Sequence, residues 1–398
     1  MKILQICNKP PYPPVDGGTL AMNSITQGLL SAGQEVRVLS VCSDKHPVQQ
    51  SHIDTGYMES THFESVYIDL KPHVLEAATA MLCGESYHVK RYESKEFEKK
   101  LAAVLSEETF DIVQLEGVFL TPYVPTIRKH SNAKIVLRAH NVEHLIWKRM
   151  AKSCKNPIKR QYLKHLALAL RAYEIDHIND YDSIACITND DARFFTAEGC
   201  RRKMTAIPFS ITPEPLGNVA VEENSLFHLG SMDWMPNIES IDWFLEKVWP
   251  AVHREVPQAR FYIAGRKMPR RYIDNPIEGV SAVGEVPDAM YFIGSKQINV
   301  VPLLSGSGIR VKIIEAMSAG KTVITTTIGA QGINCENGKH LLIADTPDEF
   351  VRHIKHCIED KEFCQTIGRN AYNLIVNEYT TEKLTQKLVD FYAETLGT

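Results

Sequence analysis

Several features that mark specialised classes of protein are missing from this sequence of 398 residues. Its 9 cysteines are an odd number and include no Cys-x-x-Cys pair, so neither a disulfide framework nor a zinc site is indicated. No apolar run approaches the roughly 20 residues that span a bilayer. The N-terminus enters a strand pattern without the profile of a signal peptide. We therefore expect a cytoplasmic protein whose thiols are reduced.

An excess of positive charge is also missing. The formal net charge is −4, whereas nucleic-acid binders are usually basic, so no nucleic-acid partner is expected. No Asp-x-Asp motif stands at the end of a predicted strand, and we expect no metal site. What remains, 44% hydrophobic and 23% charged residues, is typical of a globular protein, and the length favours two domains.

Short apolar strands alternate with amphipathic helices along most of the chain. This alternation predicts the α/β fold class with parallel, doubly wound sheets. The irregular residues 212–224, rich in Pro, Gly, Asn and Glu, predict a linker between domains. We expect a first domain over residues 1–212, a second over residues 225–377, and a final helical segment over residues 378–398.

The most informative stretch is Asn299 to Lys321, which reads NVVPLLSGSGIRVKIIEAMSAGK. Its pattern predicts a strand, a turn of small residues in which Ser307 can cap the next helix, and that helix itself. Arg310 and Lys312 fall in its first turn, where the helix dipole disfavours a cation by about 0.3–1 kcal/mol, so a bound anion is expected there. Glu315 follows one turn later and can accept from a sugar hydroxyl. A phosphate beside a sugar hydroxyl describes a nucleotide-sugar.

This stretch resembles the donor-site signature of the family-four, or group 1, glycosyltransferases, which are retaining enzymes of the GT-B fold. The version that reads SGxGxRxKxxEAMAxGKxVV is matched by Ser305, Gly306, Gly308, Arg310, Lys312, Glu315, Ala316, Met317, Gly320, Lys321 and Val323. The resemblance implies two Rossmann-like domains whose parallel sheets face each other across a cleft, with the C-terminal helix returning to the first domain.

The activity implied by the resemblance is transfer of a sugar, with retention, from a nucleoside-diphosphate-sugar to a hydroxyl of a saccharide or lipid-linked saccharide. Neither a metal nor another cofactor is implied, since cations can neutralise the leaving diphosphate. The setting expected from the family is bacterial surface polysaccharide biosynthesis, in the cytoplasm or on the inner face of the membrane.

The resemblance also assigns roles to individual residues. The candidates for donor binding are Gly17, Gly18, Gly230, Arg266, Ser307, Gly308, Ile309 and Glu315. The candidates for catalysis are His140, Arg310 and Lys312, and those on the acceptor side or in the cleft are Asp16, Glu116 and Asn141. From the residues alone, Glu116 fits a solvated loop carboxylate as well as a ligand at the carboxyl end of a strand.

Two positions depart from the family pattern. Many members carry a glutamate eight positions before Glu315, where this chain has Ser307. Many also carry an arginine and a lysine for the diphosphate after the first strand of the second domain, where this chain has Ser231 and Pro236 or Asn237. We therefore expect Arg310 and Lys312 to meet the diphosphate charge, with Arg266 or Lys267 as further candidates.

Residues 145–172 contain no acidic residue and eight basic ones interleaved with apolar residues. The basic residues are Lys148, Arg149, Lys152, Lys155, Lys159, Arg160, Lys164 and Arg171. This composition predicts basic amphipathic helices interrupted at Pro157. Such helices dock on an anionic membrane surface or an acidic ligand, or form a solvated face, and the pattern leaves both interpretations open.

Two other functions share the fold. A nucleotide-sugar 2-epimerase needs several acid–base side chains around the sugar, and here mainly His140 and Glu116 are available. A catalytically weak, nucleotide-sugar-binding subunit of a transferase complex is suggested by Ser307 and by the missing Arg/Lys pair. Turnover of the donor without an acceptor distinguishes the epimerase, and slow transfer or donor hydrolysis excludes the binding subunit.

Overall fold

The computed structural model describes residues 1–48, 53–154, 156–213, 219–305 and 310–397. The chain divides into two compact units: the first is Met1–Ser210 with Thr381–Thr398, and the second is Ile211–Thr380. Each unit is built on a parallel sheet flanked by helices, which confirms the predicted α/β architecture of two Rossmann-like domains. No helix within these ranges is long and apolar enough to cross a membrane.

The first unit has a seven-stranded sheet. Its strands are β1 (Lys2–Cys7), β2 (Glu35–Cys42), β3 (Glu64–Tyr67), β4 (Ile112–Glu116), β5 (Lys134–Ala139), β6 (Ser183–Cys186) and β7 (Lys203–Ala206). Its helices before the linker are α1 (Gly17–Ser31), α2 (Thr55–Thr61), α3 (Val74–Cys83), α4 (Tyr87–Lys90), α5 (Lys95–Glu107), α6 (Val124–His130), α7 (Glu143–Ser153), α8 (Pro157–Asp176) and α9 (Asn189–Ala197), with a 3₁₀ segment at Val118–Tyr123. The strand order is β3-β2-β1-β4-β5-β6-β7, so the direction of sheet growth reverses between β1 and β4. Ligands of doubly wound sheets bind outside the carboxyl ends of the strands at such a switch point.

The second unit repeats this arrangement with six strands. They are β8 (Ser225–Leu229), β9 (Arg260–Ala264), β10 (Val280–Gly284), β11 (Ile298–Val301), β12 (Thr322–Thr325) and β13 (Leu342–Ile343). The helices are α10 (Met235–Trp243), α11 (Trp249–Glu255), α12 (Arg270–Asp274), α13 (Ala289–Gly294), α14 (Val311–Ser318), α15 (Thr327–Ala330), α16 (Pro347–Glu359) and α17 (Lys361–Glu378), with a π-helical segment at Phe244–Val248. The order β10-β9-β8-β11-β12-β13 places the switch point between β8 and β11.

The last helix, α18 (Thr381–Leu396), packs on the first unit. Its buried side chains Leu384, Leu388 and Phe391 join the core beneath α1 and β1. The two helices approach closely at Gly28, because a Cβ there would lie 2.1 Å from the Thr385 hydroxyl oxygen. The return of the C-terminal helix to the first domain, which the resemblance implied, is therefore observed within this unit.

The helix that follows β11 begins later than the sequence pattern predicted. The first residue of α14 is Val311, and Arg310 is its N-cap without a side-chain capping hydrogen bond. Ser307, expected to cap this helix, lies outside the described residues, and the observed N-cap position belongs to Arg310. Lys312 is thus the second residue of α14, in the first turn as predicted.

Candidate functional site

The first group of candidate residues lies where the loop after β1 enters α1. Asp16 is the N-cap of α1 and accepts a hydrogen bond of 2.9 Å from the backbone N–H of Thr19. Lys9 donates to the same carboxylate at 2.7 Å. Burial alone would raise the pKa of Asp16, but the Lys9 contact and charge outweigh burial and lower the pKa to about 2. Asp16 is therefore already engaged as a cap and ion-pair partner.

The glycines of this loop let a cation approach the helix. Gly17 is the first residue of α1, and Gly18 is the second. A Cβ on Gly18 would lie 2.8 Å from the Lys9 ammonium nitrogen, so any larger residue would displace this lysine. At the carboxyl end of β1 the helix N-terminus and the lysine are thus both engaged by the Asp16 carboxylate.

The second group lies on the neighbouring strands β4 and β5. Glu116 ends β4, and His140 follows the last residue of β5; the histidine Nε2 is 2.6 Å from a carboxylate oxygen of Glu116. Glu116 is only 1% exposed, which excludes the solvated-loop interpretation. Burial would raise its pKa, but the His140 hydrogen bond and charge lower it overall. The structure therefore pairs an ionised carboxylate with the candidate catalytic histidine.

The next residues along the chain line a small cavity beside His140. Asn141 donates from its amide to Glu143 at 3.3 Å. Burial, with a smaller contribution from the nearby Glu174, raises the pKa of Glu143 to about 7. Glu174 of α8 accepts from the backbone N–H groups of Glu143 and His144, each at 2.9 Å, and so caps α7 from another helix. The cavity is lined by Val118, Leu137, Ala139, His140, Asn141, Glu143, Glu174, Ile178, Tyr181 and Phe195.

Glu174 was not found by sequence reasoning. It lies 31 residues after Glu143 in a helix whose pattern otherwise indicates a basic amphipathic face. A single acidic residue in an otherwise basic helix is only a weak indication of a functional residue. A role in capping α7 follows only from the packing of α8 beside it.

In the second unit, the candidate site includes two glycine-containing loops that pack closely against each other. Gly230 follows β8 and Gly265 follows β9, and the backbone N–H of Gly230 donates to Ala264 at 3.0 Å. Gly265 has a positive φ of 144°, and a Cβ there would lie 1.8 Å from the Gly230 carbonyl oxygen. A Cβ on Gly230 would lie 2.6 Å from the Lys312 ammonium nitrogen. Gly265 is therefore required for this approach, and a side chain on Gly230 would displace the Lys312 ammonium group.

Lys312 extends from α14 into the space beside Gly230. Its ammonium group donates to the Asn237 side-chain oxygen at 2.5 Å and lies 3.3 Å from Nε2 of His228. The Asn237 amide nitrogen donates to the Ser231 carbonyl at 2.8 Å, which fixes the orientation of this amide. Nδ1 of His228 contacts the Val300 carbonyl at 2.9 Å; since a carbonyl only accepts, Nδ1 carries the proton and Nε2 presents a lone pair to the lysine.

The charge of Lys312 is poorly compensated by these contacts. Both groups that accept from it are neutral, and burial keeps the pKa of His228 far below its ordinary value. Burial, and then the nearby charge of Arg310, lowers the pKa of Lys312 to about 7, while Glu315 acts in the opposite direction. A partly buried cation with a strongly lowered pKa is favourable for receiving an anion.

The remaining donor candidates of the second unit differ in burial and in ion pairing. Arg310 is buried at the start of α14, and Glu315 lies one turn further, where burial raises the pKa of its carboxyl group. Arg266 is exposed beside Gly265. Lys267 forms an ion pair of 2.8 Å with Asp233, so its charge is already partly offset. The donor candidates Ser307, Gly308 and Ile309 lie outside the described residues.

Each unit thus brings part of the candidate set together. In the first unit, Asp16, Gly17 and Gly18 follow β1, while Glu116, His140 and Asn141 follow β4 and β5, and these three strands are adjacent. In the second unit, Gly230, Lys312 and Glu315 gather at the switch point between β8 and β11. Within the described part of the chain, no group of three or more His, Cys, Asp or Glu residues is arranged to hold a metal ion.

Comparison with known proteins gives one family match. Residues 223–360, which contain most of the second unit, match the family model described as glycosyl transferases group 1. A protein of Klebsiella pneumoniae, named as an uncharacterized 44.6 kDa protein in a cps region, is 24% identical over 406 residues, covering 96% of this chain and 97% of that protein.

Solved structures with the same fold cover nearly the whole chain. Sucrose-phosphate synthase from Thermosynechococcus elongatus has a TM-score of 0.71 at 14% identity and covers 100% of both chains. Anabaena HepE in complex with UDP has a TM-score of 0.68 at 14% identity, covering 99% of this chain and 100% of that one. S. aureus TarM, in a complex that includes UDP, has a TM-score of 0.67 at 12% identity, covering 98% and 100%.

Proposed function

We propose that this chain, which belongs to the group 1 glycosyltransferases of the GT-B fold, moves a glycosyl group from a nucleoside-diphosphate-sugar to a hydroxyl of a saccharide or lipid-linked saccharide. The resemblance drawn from the sequence is confirmed at the level of family and fold. The observation that carries the proposal is the partly buried, poorly compensated cation Lys312, whose ammonium group lies against Asn237 and His228 at the switch point of the second unit.

In this proposal the second unit binds the donor. The diphosphate contacts Lys312 and Arg310 at the start of α14, where the helix dipole adds to their charge. Glu315, on the same helix, accepts from the ribose hydroxyls. Gly230 leaves room for the lysine and brings the backbone of its loop close to the ligand. UDP is the first nucleotide to test, because HepE and TarM were solved with it.

We propose transfer with retention of the anomeric configuration. The acceptor oxygen bonds to the anomeric carbon on the face from which the diphosphate oxygen departs, and the acceptor's proton passes to a diphosphate oxygen as the old bond breaks. Arg310 and Lys312 neutralise the charge that develops on the leaving group, so the proposal requires no metal. His140, oriented by Glu116, contacts the transferred sugar.

Donor turnover with and without acceptors tests this function. We expect slow release of UDP from a UDP-sugar alone, and faster release with a saccharide or lipid-linked acceptor. His140→Ala should lower turnover while leaving UDP affinity nearly unchanged. The control is His130→Ala, which changes an exposed histidine at the end of α6.

Other outcomes identify the competing functions. Conversion of the donor to its C2 epimer without an acceptor would establish the epimerase instead. Binding of nucleotide-sugars without hydrolysis or transfer would indicate a binding subunit. The similarity to a protein of a cps region supports acceptors from polysaccharide biosynthesis as the first to test.

A second proposal concerns the basic tract, residues 145–172, as a docking face for an anionic membrane surface. Helices α7 and α8 form a groove of about 920 Å³ lined mainly by apolar atoms and by six cations. The cations are Lys148, Arg149, Lys152, Arg160, Lys164 and Arg171. One acid, Glu198, also lines the groove and pairs with Arg171 at 2.6 Å. Lys155 lies outside the described residues.

A neighbouring helix supplies exposed apolar side chains that the sequence pattern did not single out. In α3, Val74, Leu75 and Leu82 are each more than four-fifths exposed, at 83%, 84% and 88%. The opposite side of α3 packs through Ala80 on a small core that contains residues of α7 and α8. Exposed aliphatic side chains and a basic groove within one unit are the two components of an interfacial anchor. We therefore place the enzyme on the cytoplasmic surface of a membrane, at its anionic lipids.

Vesicle binding distinguishes this face from a solvated one. Replacing Lys148, Lys152 and Lys164 together by Gln removes three cations, each worth about 1 kcal/mol near an anionic surface, so affinity should fall by roughly 100-fold. The matched control replaces by Gln three exposed cations of the same unit outside the groove, Lys95, Lys99 and Lys129. If both variants bind vesicles as well as the parent does, the membrane-docking proposal is refuted and α7 and α8 form a solvated face.

A further inference from the structure

A buried hydrogen-bond network converges on the carboxylate that contacts His140. One oxygen of Glu116 accepts from the side-chain amide of Gln5 at 2.7 Å and from that of Gln114 at 2.5 Å. The other oxygen faces Nε2 of His140 at 2.6 Å. Both glutamines have no exposed surface, and they are register partners on β1 and β4. The carboxylate is therefore held from behind by two amides, with its remaining oxygen directed to the histidine.

The orientation of each amide is fixed by a hydroxyl from a helix. The Tyr392 hydroxyl of α18 donates to the side-chain oxygen of Gln114, which commits the amide nitrogen to Glu116. The Thr26 hydroxyl of α1 donates to the side-chain oxygen of Gln5 at 2.6 Å with the same effect. Tyr392 is completely buried, and burial raises the pKa of its hydroxyl well above the ordinary value, so it remains a donor.

The network determines which nitrogen of His140 carries the proton. An ionised carboxylate only accepts, so Nε2 facing Glu116 must be protonated. Nδ1 is then the nitrogen that can change its protonation or contact another group. Without the amides, Glu116 could rotate or bind a proton, and the histidine would lose its fixed partner.

We propose that Tyr392 and Gln114 are positioning residues that, through Glu116, hold His140 in one orientation and in its Nε2–H tautomer. The proposal rests on the proposed function in one respect: the histidine must serve the transfer reaction for the network to affect turnover. The structural part, the fixed tautomer, is independent of that function. The last helix of the chain thus contributes to the candidate catalytic residue and not only to the core.

Tyr392→Phe removes the hydroxyl and keeps the ring that packs in the core. We expect kcat to fall about three- to tenfold, the effect of one hydrogen bond, with UDP affinity and acceptor KM nearly unchanged. In a His140→Ala background the same substitution should have no further effect on the residual rate, because its influence passes through the histidine. The matched control is Thr395→Val, which removes another contact of α18 with the first unit, the 2.9 Å bond to Ser183.

NMR of the histidine ring nitrogens tests the structural part without any substrate. The parent and Thr395→Val should show His140 as a single Nε2–H tautomer, and its ring signals should change in Tyr392→Phe. If the signals behave so but no transfer is detected with any donor, the network is established and the proposed function fails. If the ring signals of Tyr392→Phe equal those of the parent, or if its kcat loss equals that of Thr395→Val, the positioning role is refuted.

Discussion

Replacing Lys312 by Met should stabilise the protein below neutral pH while weakening diphosphate binding. Burial lowers the pKa of this lysine from the ordinary 10.5 to about 7 in the folded state. A difference of that size corresponds to ~5 kcal/mol of unfavourable free energy when the lysine is charged, at one pKa unit per 1.36 kcal/mol. Methionine has a similar length and carries no charge, so the variant avoids this cost.

The sign of the pH dependence follows from proton binding. Between about pH 7 and pH 10.5 the unfolded chain holds the Lys312 proton and the folded protein does not, so the stability of the parent rises with pH over this window. Methionine leaves Asn237 and His228 without their donor, which costs about 1–3 kcal/mol at any pH. The variant should therefore be more stable than the parent by ~2–4 kcal/mol near pH 6, and it should lose this advantage by about pH 10.

Denaturant unfolding and calorimetry measure both effects. The stability difference between the parent and Lys312→Met is compared at several pH values, with Lys355→Met, at a partly exposed lysine of α16, as the control. UDP binding to the parent should take up a proton above pH 7, which calorimetry detects as a binding heat that depends on the buffer. A destabilised Lys312→Met protein at about pH 6 would refute the cost assigned to the charge of this lysine. UDP binding without proton uptake, or unchanged UDP affinity of the variant, would refute the placement of the diphosphate on it.

Two further substitutions test the contacts with the ribose and with the diphosphate separately. Glu315→Gln should weaken the binding of UDP and of uridine equally, by roughly 1.5–3 kcal/mol, because both ligands contain the ribose. A loss of affinity confined to UDP would show that Glu315 does not contact the ribose. Gly230→Ala places a Cβ 2.6 Å from the Lys312 nitrogen and displaces this ammonium group. It should weaken the binding of UDP, but not of uridine, by about 1 kcal/mol or more. Unchanged UDP affinity in calorimetry would contradict this prediction.

The fold was predictable because it depends on local patterns. Apolar strands alternating with amphipathic helices led to two parallel sheets, whereas the return of α18 to the first unit was implied by the family resemblance and not by any local pattern. The contact between Glu116 and His140 was not predictable in the same way. These residues are 24 positions apart, and their meeting depends on the register of β4 and β5, in which Glu116 lies opposite Arg138.

The environment of Lys312 shows a second limit of sequence reasoning. The helical pattern placed this lysine in a first turn and indicated a bound anion, but it gave no reason to expect that neutral groups would enclose its ammonium group. The ammonium group is enclosed because Gly230, from the loop after β8, and Asn237, in the first turn of α10, lie against it. No spacing within residues 299–321 contains this information, since the enclosing residues come from about 75 positions earlier.

The buried glutamines show that the sequence can indicate a buried hydrogen-bond network without identifying its members. Gln5 and Gln114 each stand between apolar residues of a buried parallel strand, and a buried amide is costly unless its hydrogen bonds are satisfied. Their presence therefore requires polar partners within the core. The partners are not identifiable from the pattern, because Tyr392 has the spacing of an ordinary core aromatic in an amphipathic helix and lies 278 positions from Gln114. A polar residue in a buried strand thus predicts that a network exists, and only the packing of α18 on the sheet shows that this network ends at His140.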